Sequence, residues 1–124
     1  MEIPHDSMLL RILIGENHRW RHQPLYEAIV LKAREMHLAG ATVLRGPMGF
    51  GASSRLHTAK ILRLSMDLPI VIEIVDSQEK MDAFLPFLDE MVDSGLVTLE
   101  RVKVIHYRHK TPAQDQRHPT NPKP

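Results

Sequence analysis

The sequence predicts an α+β domain with a four-stranded antiparallel sheet, in the βαββαβ order of ferredoxin-like folds. Three observations predict it. Runs rich in branched apolar residues stand at 8–14, 41–45, 70–75 and 96–107. Two segments between them repeat apolar residues at three- and four-residue steps, and glycine or proline marks most of the boundaries. Right-handed crossovers put both helices of such an order on one face of the sheet.

Met8 to Ile14 reads as the first strand, closed by Gly15, with Leu10, Ile12 and Ile14 on one face and Leu9 and Leu13 on the other. Glu16 to Gln23 is a polar loop with the only tryptophan, Trp20, which suits packing at a loop edge or stacking on a ring. Pro24 opens a helix in which Leu25, Ala28, Ile29, Ala33 and Met36 share one face, and Gly40 is expected to end it.

Ala41 to Arg45 is the second strand. It passes into Gly46, Gly49 and Gly51, whose missing Cβ atoms and tolerance of positive φ would let successive N–H groups converge on an anion, with Arg45 and Arg55 supplying charge. A plain turn is the competing reading. Ser53 to Lys60 has the makings of a helical turn, whereas Leu62, Leu64, Met66 and Leu68 alternate as in a strand, and both readings stay open.

After Pro69, Ile70 to Val75 forms a central strand. Ser77 is the expected N-cap of the second helix, which should kink or break near Leu85 because of Pro86 and end at Gly95. Leu96 to Tyr107 is the last strand, and the change of face near Glu100 and Arg101 predicts a bulge. From His109 the chain has four prolines and no large apolar residue, so 109–124 is expected to be a disordered tail after a domain of residues 1–108.

The 124 residues suit one domain with a real core, and 16 basic against 15 acidic residues give a net charge of +1. That charge favours neither nucleic acid nor an anionic membrane as a partner. Without cysteine there is no disulfide or thiolate site, which fits a reducing compartment. Met8 to Ile14 is too short to be a signal or a span, so the cytoplasm is the expected location. On the helix-free face, Leu9, Leu13, Val71 and Val75 would form a wet apolar patch unless the chain self-associates.

The element order, the run Gly40-Ala41-Thr42-Val43 leading to Gly49-Phe50-Gly51, and Ile72-Glu73-Ile74-Val75 resemble the PII-like superfamily, whose members show G-M-T-V, G-F-G and I-E-I-V. The resemblance spans about residues 8–107. It is closest to an uncharacterised branch, domain of unknown function one hundred and ninety, through GENHRW, GATVLRGPMGFG, LSMDLPIVIEIVD and SGLVT. It implies a homotrimer that is not an enzyme, binds an adenine nucleotide between subunits, and reports to a partner protein, such as a membrane transporter or an enzyme, through the loop after the second strand.

Residue by residue, the resemblance implies that Thr42 lies near the adenine and that Gly49, Phe50 and Gly51 lie beside the nucleotide, with Glu73 in the matched strand. Two departures stand out. The step from Thr42 to Gly49 is one residue longer here, and Asp93 to Arg101 lacks the T-G-x-x-G-D-G-K-I-F loop that grips phosphates in PII proteins, on which tight ATP binding rests. A smaller adenine ligand such as AMP, or phosphate contacts from Arg45, Arg55 or His57, is compatible with that loss.

Two further functions compete. His18, His22 and His57 are the only evident ligands for a metal-binding trimer on the same fold. Ser53 or Ser54 with His57 and Asp67 offers the residue types of a hydrolase but no spacing that brings them together.

Overall fold

The computed structural model describes residues 3–51, 57–58 and 67–109. Along the chain it places β1 (Asp6–Gly15), β2 (Arg19–Trp20), β3 (Gln23–Pro24), α1 (Leu25–Glu35), β4 (Thr42–Arg45), β5 (Met48–Gly49), β6 (His57–Thr58), β7 (Pro69–Asp76), α2 (Gln78–Met91) and β8 (Leu96–Lys103). The main sheet has the order β4-β7-β1-β8, antiparallel throughout, which is the ferredoxin-like arrangement. The expected excursion over 53–68 and the expected tail fall almost wholly outside the described residues.

The core forms where the sequence alternates. Leu10, Ile12 and Ile14 of β1 lie opposite Ile74, Ile72 and Ile70 of β7, and all six are buried. Leu25, Ala28, Ile29 and Ala33 of α1 and Met81, Phe84, Leu88 and Met91 of α2 close over them. Each large side chain so buried contributes about 1.5–3 kcal/mol. Leu9, Leu13, Val71 and Val75 lie on the other face and are only half-buried, as expected.

Five local expectations are corrected. Helix α1 stops at Met36, not Gly40: His37 takes φ 62, and the N–H groups of His37 and Leu38 donate to the carbonyls of Arg34 and Ala33, both at 3.0 Å. That is a Schellman ending with histidine where glycine is usual. It is held from outside, since Lys80 Nζ donates to the carbonyls of His37 (3.1 Å) and Met36 (3.4 Å).

Helix α2 runs unbroken through Pro86 and ends at Met91, short of Gly95. Pro86 is exposed, so water can satisfy the carbonyl it leaves without a donor. Gly95 instead turns the chain into β8 at φ 149, where a Cβ would come within 2.8 Å of the Leu13 carbonyl oxygen. Strand β8 pairs with β1 in unbroken register from Leu96 to Lys103, so there is no bulge, and it ends well before Tyr107.

Candidate functional site

The predicted run from Thr42 to Gly51 begins as one edge of the main sheet, Thr42–Arg45, and continues into a separate small ribbon. Strand β4 bonds only to β7 in the sheet, and all four of its residues are exposed. Thr42 lies opposite Glu73 on the helix-free face, whereas Arg45 lies opposite Ile70 on the helix side. A ligand touching both must therefore lie along the free edge of β4 rather than on either face. The four-residue step from Thr42 to Gly46 covers about 13 Å at ordinary strand rise.

Beyond β4 the chain turns into a second, smaller ribbon. Met48 and Gly49 of β5 lie opposite Thr58 and His57 of β6, so the predicted glycine stretch forms one arm of a hairpin. Phe50 is 73% exposed. Of the predicted residues, Thr42 and Arg45 lie on the edge strand, Gly46 directly follows it, and Gly49, Phe50 and Gly51 lie in and just after β5, with the backbone of His57 beside Gly49. Arg55 and the side chain of His57 lie outside the described residues.

Gly46 and Gly49 serve close approach rather than positive φ. Positive φ is confined, among described glycines, to Gly95, so Gly46, Gly49 and Gly51 do not fan their N–H groups through left-handed backbone. Gly46 and Gly49 are instead needed for close approach to Pro69, because a Cβ on either would meet its Cγ at 2.9 and 3.0 Å. The Gly46 N–H is committed to the Pro69 carbonyl at 2.7 Å. Gly51 faces open space.

Arg45 is also engaged. Its Nη2 donates to Glu16 Oε2 at 2.5 Å, and Glu16 is anchored through its own N–H to the Leu68 carbonyl at 2.8 Å. Asp67 accepts the Asn17 N–H at 2.7 Å and lies against Gly15. Glu16 and Pro69 thus brace the start of the loop, and Asp67 holds the turn that carries Glu16. Sequence reasoning missed Glu16 and Pro69 in that role, because the pairing joins positions far apart in the chain and no local pattern announces it.

Thr42 and Glu73 belong to a polar row across the helix-free face, which continues to Arg11 and Thr98. Arg11 Nε donates to Glu73 at 2.9 Å, and its Nη1 stands 3.6 Å from Glu100.

The other candidates are dispersed. His18 Nε2 pairs with Asp93 at 2.9 Å, while His22 stands in a left-handed turn with its carbonyl accepting from Arg19. Among the described residues no three metal-ligating side chains converge. Of the hydrolase residues, Asp67 accepts the Asn17 N–H at 2.7 Å, while Ser53, Ser54 and the side chain of His57 lie outside the described residues.

Comparison with known proteins gives this geometry its relatives. Residues 7–104 match the family DUF190, described as Uncharacterized ACR. A UPF0166 protein of Aquifex aeolicus is 38% identical over 98 residues, covering 79% of this chain and 92% of that one. One from Methanocaldococcus jannaschii is 32% identical over 94 residues, covering 75% and 86%. In three dimensions, CPII of Thiomonas intermedia K12, a nitrogen regulatory PII-like protein solved with ADP, AMP and bicarbonate, superposes with TM-score 0.55 at 18% identity, covering 80% and 88%. A PII-like signaling protein of Thermus thermophilus gives 0.58 at 19%, covering 81% and 90%. The match over most of the length and the superposed sheets and helices together show that the chain belongs to the DUF190 family and has the PII-like fold.

Proposed function

We propose that this chain is a non-enzymatic regulatory protein of the cytoplasm that assembles as a homotrimer through residues 1–108. It binds an adenine nucleotide along the free edge of β4, between subunits, and signals the bound state to a partner protein through the loop after that strand. The observation that carries the reading is the exposed edge itself: Thr42 and Arg45 stand at its two ends, and the Gly46–Gly51 stretch follows it directly. The PII-like protein CPII, with the same fold, holds ADP and AMP. Among the described residues no helix is long and apolar enough to cross a membrane.

As the edge stands, its charge is satisfied internally. A phosphate arriving at Arg45 has to compete with Glu16, whose carboxylate already holds the guanidinium. The expected ligand therefore carries enough negative charge to displace a carboxylate, and the Glu16 and Arg45 variants should move affinity in opposite directions.

Calorimetric titration with AMP, ADP, ATP and a cyclic dinucleotide, with GMP and adenosine as controls, tests the reading. An adenine nucleotide should bind in preference to GMP. Arg45→Ala should weaken it about fivefold to tenfold, Glu16→Gln should tighten it by a similar factor, and neither should change adenosine. Gly49→Ala should weaken binding by pressing on Pro69, whereas Gly51→Ala should be tolerated. Equal binding of GMP and AMP, or none of either, would show that the edge is only a turn.

A further inference from the structure

A cavity of about 340 Å³ lies on the outer surface of the helices between the β2–β3 hairpin, α1 and the second half of α2. It shares no lining residue with the β4 edge. Trp20 and Phe87 provide aromatic surface, and Leu31, 56% exposed, adds an apolar wall.

The hairpin beside it is strained. Its two turn residues, Arg21 and His22, have φ 49 and 69, the sign pattern of a mirror-image turn that Asn-Gly fills without difficulty. An ordinary side chain there is strained against its own backbone, and such strain concentrates where a side chain is put to use. What the turn achieves is the placement of Arg21, whose guanidinium stands 4.4 Å over the Trp20 ring. Across the cavity, Lys32 Nζ stands 4.2 Å over Phe87.

Both cations have acidic neighbours that stop short of hydrogen bonding. Arg21 is 3.9 Å from Glu90, and Lys32 is 3.6 Å from Glu35. Two cations, two carboxylates and an apolar wall around a small volume are the complement of a zwitterion with an apolar body. A cavity near the lower end of ligand-pocket volumes suits one amino acid better than a nucleotide.

We propose that this cavity binds a free α-amino acid with an apolar side chain. Its carboxylate is taken by Arg21 and Lys32, its ammonium by Glu90 and Glu35, and its side chain lies against Phe87 and Leu31. The proposal goes beyond nucleotide binding and does not depend on it.

Trp20 is the only tryptophan of the chain, so its fluorescence reports on this site alone. Titrating the full chain with L-leucine should give a saturable change. Leucinamide and N-acetyl-leucine, each lacking one of the two charges, should bind at least about tenfold more weakly. Arg21→Gln and Lys32→Gln should each weaken L-leucine about fivefold or more. The pair Arg21→Asn with His22→Gly fits the turn, so it should raise the melting temperature while the leucine response is lost, which separates lost binding from misfolding. No saturable change with L-leucine, an equal response to all three compounds, or an undiminished response in either Gln variant would overturn the proposal. Binding of AMP is read separately and bears on neither result.

Discussion

Asp76 closes β7 with a carboxylate that is almost wholly buried, its residue being 3% exposed, and that accepts the N–H groups of Ala39 at 2.8 Å and Ser77 at 2.7 Å. One side chain thus joins the turn after α1 to the start of α2. Asp76→Ala should strand both donors at a site with little water and cost about 2–4 kcal/mol, seen as a melting temperature lower by on the order of 10 °C. A loss under about half a kcal/mol would mean that the two N–H groups find other partners. The neighbouring His37 gives a prediction of opposite sign. It occupies the left-handed cap position at φ 62, so His37→Gly should stabilise the fold by about 1 kcal/mol and raise the melting temperature by several degrees. No gain would show that the His37 side chain offsets its backbone strain.

At the scale of elements, α2 carries a removable defect. Pro86 has no N–H to offer the Asp82 carbonyl, yet the helix continues past it because this side faces water. Pro86→Ala should restore the bond and stabilise the fold by about 1–3 kcal/mol, readable by denaturant titration. Unchanged stability would mean that the proline's stiffening of the unfolded chain offsets the lost bond. The two helices and the four main strands were legible in the sequence because their periods of 3.6 and 2 record which side meets the core. What was not legible depends on partners far away in the chain. The end of α1 rests on Lys80 and Asp76, which let His37 do what Gly40 was expected to do. The supposed bulge in β8 is the end of helix cover: Arg101 lies opposite Met8 where the core stops, and Val102 lies opposite Ser7 on the other face. At the candidate site the strand and its glycines could be read from the sequence, whereas its place at the edge of the sheet came with the pairing. The Glu16 latch and the pressure of Pro69 on Gly46 and Gly49 arise only once β1, β4 and β7 lie side by side.

For the whole molecule the deciding surface is the helix-free face of the sheet. One row across it, Leu44, Val71, Leu13 and Leu96, is apolar over all four strands, while the next, Thr42, Glu73, Arg11 and Thr98, is polar with Arg11 paired to Glu73. An apolar stripe beside a self-satisfied ionic row is a surface that can be covered without stranding a charge, whereas left wet it keeps Leu44 and Leu96 more than half exposed. A homotrimer that buries this face should have the mass of three chains in light scattering. Val71→Glu puts a carboxylate between Leu44 and Leu13, where Arg11 is already engaged by Glu73 and Glu100. Covering that charge in an interface would cost several kcal/mol, so the variant should fall to single chains, with nucleotide binding lost if the site needs two subunits. Val71→Ala is the control, since it removes two methyl groups without adding charge and should leave most of the assembly intact. A wild-type mass of one chain would remove the trimer and the cleft between subunits together. A Val71→Glu protein that still sediments as three chains would show that the assembly uses some other surface.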